Sequence, residues 1–261
     1  MAHRILLASS GDPRQSEEYT TGEPRPITSL GVHDAVLRLL EKENVGKVLD
    51  AGAGEGALTK RLTQLGFDVE ACDINPDRFK LKDKVCRKID LNEDLPYPNE
   101  LFNFVVCVET IEHLLDPWCT ISEFSRVLRK NGKFIITTPN ILSILSRLMF
   151  MAYGEYHHFS YLGHEQLWRE KVSACGMPDM HMTPLSFWQL RYLLLRNNMR
   201  LEGIDTNRYS CMRLSPRSEL ISTLLYPLIK FFMKEHAGEE SLLASDTLLC
   251  GEILILKARK L

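Results

Sequence analysis

Three glycines follow an acidic residue at the end of a short apolar run, in residues 48–56 with the sequence VLDAGAGEG. Such an apolar run is typical of a buried strand, and closely spaced glycines let the backbone turn sharply against a ligand. The pattern predicts a nucleotide-cofactor loop, with Asp50 at the strand end and Gly52, Gly54 and Gly56 in the turn.

The charge of Asp50 bears on which cofactor this loop binds. Gly52, Gly54 and Ala57 also match the dinucleotide pattern of two glycines and a small residue. A carboxylate directly before the glycines repels a diphosphate, whereas it attracts the ammonium and sulfonium groups of S-adenosylmethionine (SAM). We therefore expect SAM, with an NAD(P) dinucleotide or a plain structural turn as the alternatives.

Two further carboxylates follow the next two predicted strands. Asp73 ends the second strand, about twenty positions after the loop, where an acidic residue accepts hydrogen bonds from ribose hydroxyls. Asp90 follows the third strand, where its carboxylate can accept from an adenine amino group. With their neighbours Ile74 and Leu91, these residues extend the predicted cofactor contacts.

Glu109, Glu112 and His113 follow the fourth predicted strand at offsets of three and four. In a helix these offsets place Glu112 and His113 on the face of Glu109. We expect Glu109 to contact the cofactor, and the three side chains together form half of a divalent-metal site. There are two alternatives. His113 is a metal-free general base with Glu112 beside it, or it is a purely structural histidine.

Strands and helices alternate along most of the chain, which predicts a parallel sheet with helices on both faces and a cofactor at the carboxyl ends of the strands. After residue 140 the rhythm changes, and an irregular stretch that contains four histidines precedes a helix capped by Ser186. The predicted strands cover 45–49, 68–72, 85–89, 102–108, 133–138, 200–206 and 248–258. The predicted helices cover 30–40, 57–65, 116 to about 132, 141–153 and 186–197.

The chain divides into an N-terminal segment, residues 1–29, and one domain over residues 30–261 that includes a lid insertion at 141–185 and a helical insertion at 208–246. The N-terminal segment is rich in Pro, Gly and Glu. It either drapes over the cofactor or forms a disordered tail.

The composition excludes several classes. The chain has 261 residues, which suit a single α/β domain, and 32 basic residues balance 34 acidic ones, so no overall basic field favours nucleic acid or membrane. The N-terminus lacks a signal-peptide core, and no run is long enough to span a bilayer. Seven cysteines without a CxxC pair favour a reducing, cytoplasmic setting.

Residues 220–234 form an apolar stretch with Lys230 and Lys234 near its end. Such a helix, over residues 217–236, either makes peripheral contact with a membrane or packs on the domain or on the second subunit of a homodimer.

Residues 45–140 resemble the class I SAM-dependent methyltransferases, and within them the type 11 group that includes ubiquinone-pathway O-methyltransferases. The resemblance implies a seven-stranded, doubly wound, mostly parallel sheet of the Rossmann-like kind, whose last strand is antiparallel. It is carried by VLDAGAGEG at 48–56, Asp73, LPYP at 95–98, VETIEHLLDP at 108–117, LRKNGK at 128–133 and TTPN at 137–140.

The Glu-x-x-Glu-His arrangement is similar to that of metal-dependent O-methyltransferases of this pathway and of small-RNA 2′-O-methyltransferases. In those enzymes a later histidine completes the metal site. The candidates here are His157, His158, His164 and His181. The sequence does not choose among them, and the predicted set takes His158 with Glu109, Glu112 and His113.

The predicted function is transfer of a methyl group from SAM to an oxygen of a small-molecule acceptor. Aromatic and methionine side chains after residue 140 suit a cover over an apolar acceptor. The alternatives are an RNA 2′-O-methyltransferase, which the absence of a dense Lys/Arg tract disfavours, and a non-catalytic SAM-binding or NAD(P)-dependent protein.

Overall fold

The computed structural model describes residues 22–159, 181–209, 216–237 and 242–261. The strands are β1 (Lys47–Ala51), β2 (Asp68–Asp73), β3 (Cys86–Lys88), β4 (Phe102–Cys107), β5 (Leu128–Pro139), β6 (Met199–Thr206) and β7 (Ile253–Lys260). The α-helices are α1 (Val32–Leu40), α2 (Ala57–Gln64), α3 (Pro117–Val127), α4 (Ile144–Tyr153), α5 (Phe187–Arg196), α6 (Pro216–Ala237) and α7 (Asp246–Cys250).

These strands form one sheet in the order β3-β2-β1-β4-β5-β7-β6. β1 pairs in parallel with β2 and β4, whereas β7 runs antiparallel to both β5 and β6. The predicted fold class is therefore confirmed, including the antiparallel last strand. Because β1 to β4 are parallel, the loops that follow them meet at one edge of the sheet.

Both faces of the sheet are covered. Val48 and Leu49 are adjacent in β1 and fully buried, yet they belong to different hydrophobic clusters on opposite faces. α1 and α2 contribute to the cluster that contains Val48, and α3 and α5 contribute to the one that contains Leu49. Burial on both sides explains why the central strands β1 and β4 are mostly apolar rather than alternating.

Helix starts follow local capping chemistry. The Asp116 side chain accepts hydrogen bonds from the main-chain N–H groups of Trp118 and Cys119, with Pro117 at the first helical position. Ser186 and Gln189 form a reciprocal capping box at the start of α5. These two helix starts agree with the sequence prediction.

Two predicted boundaries are wrong. The third helix does not extend to Gly132, because the chain becomes extended at Leu128, which pairs with Phe102 of β4. The last strand does not begin at Leu248, because Ser245 caps the short helix α7, and the strand starts only at Ile253. Residues 248–250 are apolar and buried, so there the pattern alone does not separate a short buried helix from a strand.

Within the described residues, no helix combines the length and apolar character needed to cross a bilayer. The long helix α6 contains Pro227, and it exposes Leu228, Phe231 and Phe232. Residues 1–21 of the predicted N-terminal segment and residues 160–180 of the predicted lid lie outside the described residues.

Candidate active site

A cavity of about 590 Å³ lies at the edge of the sheet where β1, β2, β3 and β4 end. His113 and most of the residues predicted to contact a cofactor line it. The lining members of the predicted cofactor set are Asp50, Gly52, Gly54, Asp73, Ile74, Asp90, Leu91 and Glu109. Gly56, the remaining member, packs against the Phe79 ring, which would lie 2.7 Å from an added Cβ.

The main-chain N–H groups of the glycine loop donate hydrogen bonds within the protein. Gly52 and Ala53 both donate to the Cys72 carbonyl, at 2.9 and 3.0 Å. Gly54 donates to Asp73 Oδ2 at 2.8 Å, and Gly56 donates to the Ala53 carbonyl at 2.9 Å. A dinucleotide loop needs such N–H groups to point at phosphate, so this geometry favours a cofactor without a diphosphate.

Gly52 is the position where a side chain is least tolerated. Its φ of 82° is in the left-handed region, and an added Cβ would lie 2.2 Å from Thr110 Oγ1. Thr110 follows β4, so the close approach joins the loop after β1 to the loop after β4.

Asp50 is buried in β1 beneath the cavity, with 2% of its surface exposed. Its Oδ2 accepts a hydrogen bond from the Thr59 hydroxyl at 2.6 Å. Burial raises the pKa of Asp50 to about 6, against the effect of this hydrogen bond. The carboxylate is therefore charged at neutral pH and contributes negative potential to the cavity floor.

Residues 22–29, which we call the strap, lie over the same cavity. Arg25, Ile27 and Thr28 are among its lining residues. Two carboxylates of the site bind the main chain of the strap. The main-chain N–H of Arg25 donates to Glu55 Oε2, and the main-chain N–H of Ser29 donates to Glu109 Oε2, both at 2.8 Å. This part of the N-terminal segment is draped over the site.

The segment after β4 is not the α-helix considered in the sequence analysis. Ile111–His113 form a single 3₁₀ turn, and Glu109 precedes it with a φ of 43°, in the left-handed region. Because only this single turn follows β4, the spacing of three and four residues does not place Glu112 and His113 on one helical face with Glu109. Burial raises the pKa of Glu109 to about 7, although the Ser29 hydrogen bond favours the charged form.

Glu112 is the most deeply buried acid of the site, with no exposed surface. Neither of its carboxylate oxygens meets hydrogen-bond geometry with a residue that the structure describes, although the Thr138 side chain lies close enough to favour the charged form. Burial, followed by the charge of Glu109, raises the pKa of Glu112 well above its ordinary value. A buried carboxylate of this kind needs a proton or a cation beside it.

His181 is the later histidine that the structure brings to Glu112. Its Nε2 lies 3.9 Å from Glu112 Oε1, and its ring centroid is 4.7 Å from that of His113. One ligand atom from each of Glu112, His113 and His181 falls within 4.8 Å of the others, which is close enough to hold a metal ion.

His158, the predicted fourth ligand, lies elsewhere. Its Nε2 is 3.4 Å from Glu252 Oε1, and Arg208 forms a bidentate ion pair with the same carboxylate. His158 is not one of the three residues whose ligand atoms meet at Glu112, and its interaction with Glu109 acts to lower the pKa of that carboxyl. His164 is outside the described residues.

Residues 27–171, more than half of the chain, match the family described as a methyltransferase domain. The chain belongs to this methyltransferase family. It therefore contains a methyltransferase domain, in agreement with the family resemblance of residues 45–140.

The methyltransferase is 26% identical over 202 residues to a ubiquinone biosynthesis O-methyltransferase of Xylella fastidiosa (strain M23), with 66% of this chain and 75% of the relative covered. A protein of the same name from Xanthomonas oryzae pv. oryzae (strain PXO99A) is 32% identical over 103 residues, which cover 36% of this chain and 43% of that relative. The chain thus spans less than half the length of this second relative.

Solved structures agree on the fold. A SAM-dependent methyltransferase from Archaeoglobus fulgidus superposes with a TM-score of 0.57 at 18% identity, covering 87% of this methyltransferase and 94% of that chain. An S-adenosylmethionine-dependent methyltransferase from Mesorhizobium loti gives a TM-score of 0.52 at 14% identity, covering 87% and 96%. At such identities the likeness concerns the fold alone.

The sequence analysis missed several lining residues, among them a buried histidine. His33, near the start of α1, is 8% exposed and lines the cavity. The available signal was a histidine between Val32 and Ala35 on a helix whose buried face is otherwise apolar. A single polar residue in such a stripe carries no spacing pattern, so periodicity alone does not mark it.

Proposed function

We propose that this methyltransferase transfers the methyl group of SAM to an oxygen of a small-molecule acceptor. The observation that carries the proposal is the group formed by the buried Glu112 and the partly buried His113 and His181 beside the cofactor cavity, which His113 also lines. The printed names of the sequence relatives, ubiquinone biosynthesis O-methyltransferases, support oxygen as the methylated atom.

SAM supplies an electrophilic methyl group on a sulfonium. In the proposal, Asp73 accepts hydrogen bonds from the ribose hydroxyls. Its two oxygens already accept from the main-chain N–H groups of Gly54 and Asn75, and each keeps a second lone pair. Asp90 is fixed in a similar way by Asn92 and presents its carboxylate to the adenine side. Asp50 adds negative potential under the sulfonium.

The proton of the acceptor hydroxyl must leave before or during methyl transfer. His113 is the proposed base, because it lines the cavity and its ring lies against that of His181. Glu112 Oε1 lies 3.9 Å from His181 Nε2, and in its ionised form Glu112 would stabilise positive charge on the imidazoles.

As the alternative to His113 acting as the base, we propose that Glu112, His113 and His181 hold a divalent metal ion, in which case His113 is a ligand. Two imidazoles and one carboxylate suit zinc and other first-row metals, and the unpaired carboxylate oxygens of Glu112 fit a cation. Such an ion would lower the pKa of an acceptor hydroxyl. The proposal replaces His158 by His181 in the predicted set and leaves Glu109 to the cofactor side.

Calorimetric titration and a methyl-transfer assay test the function. We expect SAM and S-adenosylhomocysteine (SAH) to bind and NADPH not to bind. Transfer of labelled methyl from SAM is expected to 3,4-dihydroxybenzoate, a simple catechol, and not to a small RNA duplex. Binding of NADPH in place of SAM would overturn the cofactor, and labelling of RNA would overturn the acceptor class.

Peripheral contact with a membrane, or with the second subunit of a homodimer, is proposed through α6. Tyr226 and Ile229 pack against the domain beside Leu249, whereas Phe231 and Phe232 are exposed. Packing on the domain therefore accounts for only one side of the helix. Flotation with anionic liposomes and light scattering would separate membrane contact from a homodimer.

The proposed setting is the reducing cytoplasm. Cys72, Cys86, Cys107, Cys119 and Cys250 are free thiols in the described part of the chain, which supports this setting.

A further inference from the structure

Residues 78–88, which we call the basic strip, concentrate positive charge in a chain that has no overall basic field. The strip begins in the 3₁₀ turn after β2 and ends with the edge strand β3. It contains six basic residues and one acidic residue, whereas the net charge of the whole chain is −2. Most of the basic residues alternate with other residues instead of forming a contiguous tract. They are Arg78, Lys80, Lys82, Lys84, Arg87 and Lys88.

The fold turns the basic side chains of the strip towards solvent. Phe79 packs against Gly56, and Leu81 is half-buried. Lys80 and Lys82, at the alternate positions, are exposed. The apolar residues therefore fix the strip to the domain and leave the cations on its outer side.

Most of these cations have no counter-charge within the protein. Lys80 forms an ion pair with Glu55 at 2.7 Å, and the Arg87 guanidinium lies 5.0 Å from the centre of the Tyr97 ring. The remaining four form no ion pair with any residue that the structure describes: Arg78, Lys82, Lys84 and Lys88. Like charges without internal partners repel each other, and an external anionic surface relieves that repulsion.

Protection of the sheet edge explains only part of the strip. Basic residues on an edge strand prevent its pairing with another chain, and β3 is the first strand in the sheet order. Only Arg87 and Lys88 lie on β3, however, and the other four cations precede it. The positive surface therefore extends beyond the edge that needs protection.

Val85 favours a bilayer over a nucleic acid as the anionic partner. It is 81% exposed and directly follows the turn at residues 82–84, so an apolar side chain stands beside two lysines. Such a tip enters the interfacial region of a bilayer while the lysines meet anionic headgroups. Binding of single-stranded nucleic acid uses exposed aromatic rings for base stacking, whereas Phe79, the one aromatic residue of the strip, packs against Gly56.

We propose that the basic strip docks the protein on an anionic lipid bilayer, with Val85 in the interfacial region and the lysines at the headgroups. Arg78 also lines the cofactor cavity, so the docked surface adjoins the site. The strip is separate from α6, which packs beside Leu249, because Leu249 precedes β7 and β7 lies near the other edge of the sheet. The inference goes beyond the proposed methyl transfer and holds whichever acceptor the enzyme uses.

Flotation of the full chain with lipid vesicles tests the strip. One set of vesicles is phosphatidylcholine alone, and the other contains about one third phosphatidylglycerol, which supplies the negative surface. The strip variant is Lys82→Ser/Lys84→Ser/Lys88→Ser. It leaves unchanged Arg78, which lines the cavity, and Arg87, which lies over Tyr97.

The matched control removes the same charge from other parts of the surface. It is Lys42→Ser/Lys130→Ser/Arg200→Ser, at exposed positions after α1, in β5 and in β6. Val85→Asn and Val85→Leu test the apolar tip. A melting curve and an SAH titration of each variant check that it folds.

We expect the wild type to float with the anionic vesicles and not with the neutral ones. Each lysine near an anionic surface contributes roughly fivefold to the partitioning, so the strip variant should bind about a hundredfold more weakly. The control variant should stay close to the wild type. Val85→Asn should weaken binding about fivefold, and Val85→Leu should retain it.

Failure of the wild type to float with anionic vesicles would overturn the inference and leave the strip as edge protection. Equal losses in the strip variant and the control variant would also overturn it, because net charge would then be responsible. Unchanged flotation of the strip variant would assign the membrane contact to another surface such as α6.

A gel-shift assay with a small RNA duplex covers the remaining polyanion. If the duplex displaces the wild type from the vesicles, and the strip variant loses binding to the duplex, the strip is a nucleic-acid surface and the inference fails. Titration of the wild type with SAH does not depend on lipid, so failure of the proposed cofactor site would be seen separately.

Discussion

The main-chain N–H of Gly54 donates a hydrogen bond to the Asp73 carboxylate over 2.8 Å. This bond ties the glycine loop after β1 to the acid at the end of β2, nineteen residues further along the chain. The two elements most characteristic of the cofactor site are therefore positioned by each other, with a left-handed φ of 54° at Gly54. A change in either one should disturb both.

Gly52 should be the least replaceable glycine of the loop. Gly52→Ala forces a Cβ to within 2.2 Å of Thr110 Oγ1 and keeps a left-handed φ of 82°. We expect it to destabilise the protein by about 3 kcal/mol and to abolish detectable SAH binding. Urea unfolding and calorimetry measure the two effects.

Gly154→Ala is the matched control for this substitution. Gly154 has a similar φ of 76°, but no atom lies within 4 Å of an added Cβ. It should cost only the conformational strain, about 1 kcal/mol, and leave SAH binding intact. Equal losses in the two variants would show that the contact with Thr110 has no role.

Asp50 should make SAM binding depend on pH. Burial raises the pKa of Asp50 to about 6 and that of Glu109 to about 7, so both carboxylates lose charge as the pH falls through these values. SAM carries a sulfonium charge that SAH lacks. The ratio of SAM affinity to SAH affinity should therefore decrease between about pH 8 and about pH 5.

Asp50→Asn removes the charge at every pH, so the part of this decrease centred near pH 6 should disappear. Calorimetric titrations of both ligands over the pH range provide the measurement. A ratio in Asp50→Asn with the same pH dependence as in the wild type would exclude Asp50 as the source.

The glycine loop and the strand-end acids could be predicted because each rests on a local pattern. A buried strand must be apolar, and parallel strands bring their carboxyl ends to one edge, so Asp50, Asp73 and Asp90 had to lie near each other. The seven-stranded sheet with its antiparallel last strand was expected from the family resemblance rather than from spacing.

The acceptor side could not be predicted to the same depth. His181 reaches Glu112 through two main-chain hydrogen bonds, from the N–H groups of Met182 and Thr183 to the Glu112 carbonyl, at 2.8 and 2.9 Å. Such a tertiary contact, between residues some seventy positions apart, leaves no trace in local spacing. The left-handed Glu109, which prevents a regular helix after β4, is likewise invisible in the residue types.

Metal retention should distinguish His181 from His158. Because Glu112, His113 and His181 place ligand atoms within 4.8 Å of each other, His181→Ala should lose zinc added in equimolar amount. His158→Ala should retain it, since His158 lies against Glu252. Metal content after desalting, measured by mass spectrometry, checks both variants. Loss of zinc in His158→Ala, with retention in His181→Ala, would restore the ligand set predicted from sequence.

Replacement of His113 should lower turnover without weakening cofactor binding. His113→Ala removes the proposed base, so we expect methyl transfer to fall by a factor of about 100 or more while the SAH dissociation constant stays close to that of the wild type. The rate is measured at saturating SAM. An unchanged rate would remove His113 from the mechanism, and a parallel loss of SAH affinity would assign it to the cofactor side.

The buried Glu252 should make stability depend on Arg208. Burial opposes ionisation of Glu252, but His158 and the two-pronged contact with Arg208 outweigh it and hold the pKa at about 2. Arg208→Met leaves a buried carboxylate without its main counter-charge, which should cost about 3 kcal/mol at neutral pH, because Arg208 itself is only partly buried. Stabilisation from an acid with a lowered pKa is complete above its ordinary value of 4.5 and is lost as the pH falls through about 2. The difference in unfolding free energy between wild type and variant, measured in urea, should therefore shrink over that range.

Arg38→Ala, which removes an exposed ion pair with Asp205, should cost no more than about 0.5 kcal/mol at any pH. A difference for Arg208→Met that stays constant down to the lowest pH would show that the loss comes from packing and not from the charge of Glu252.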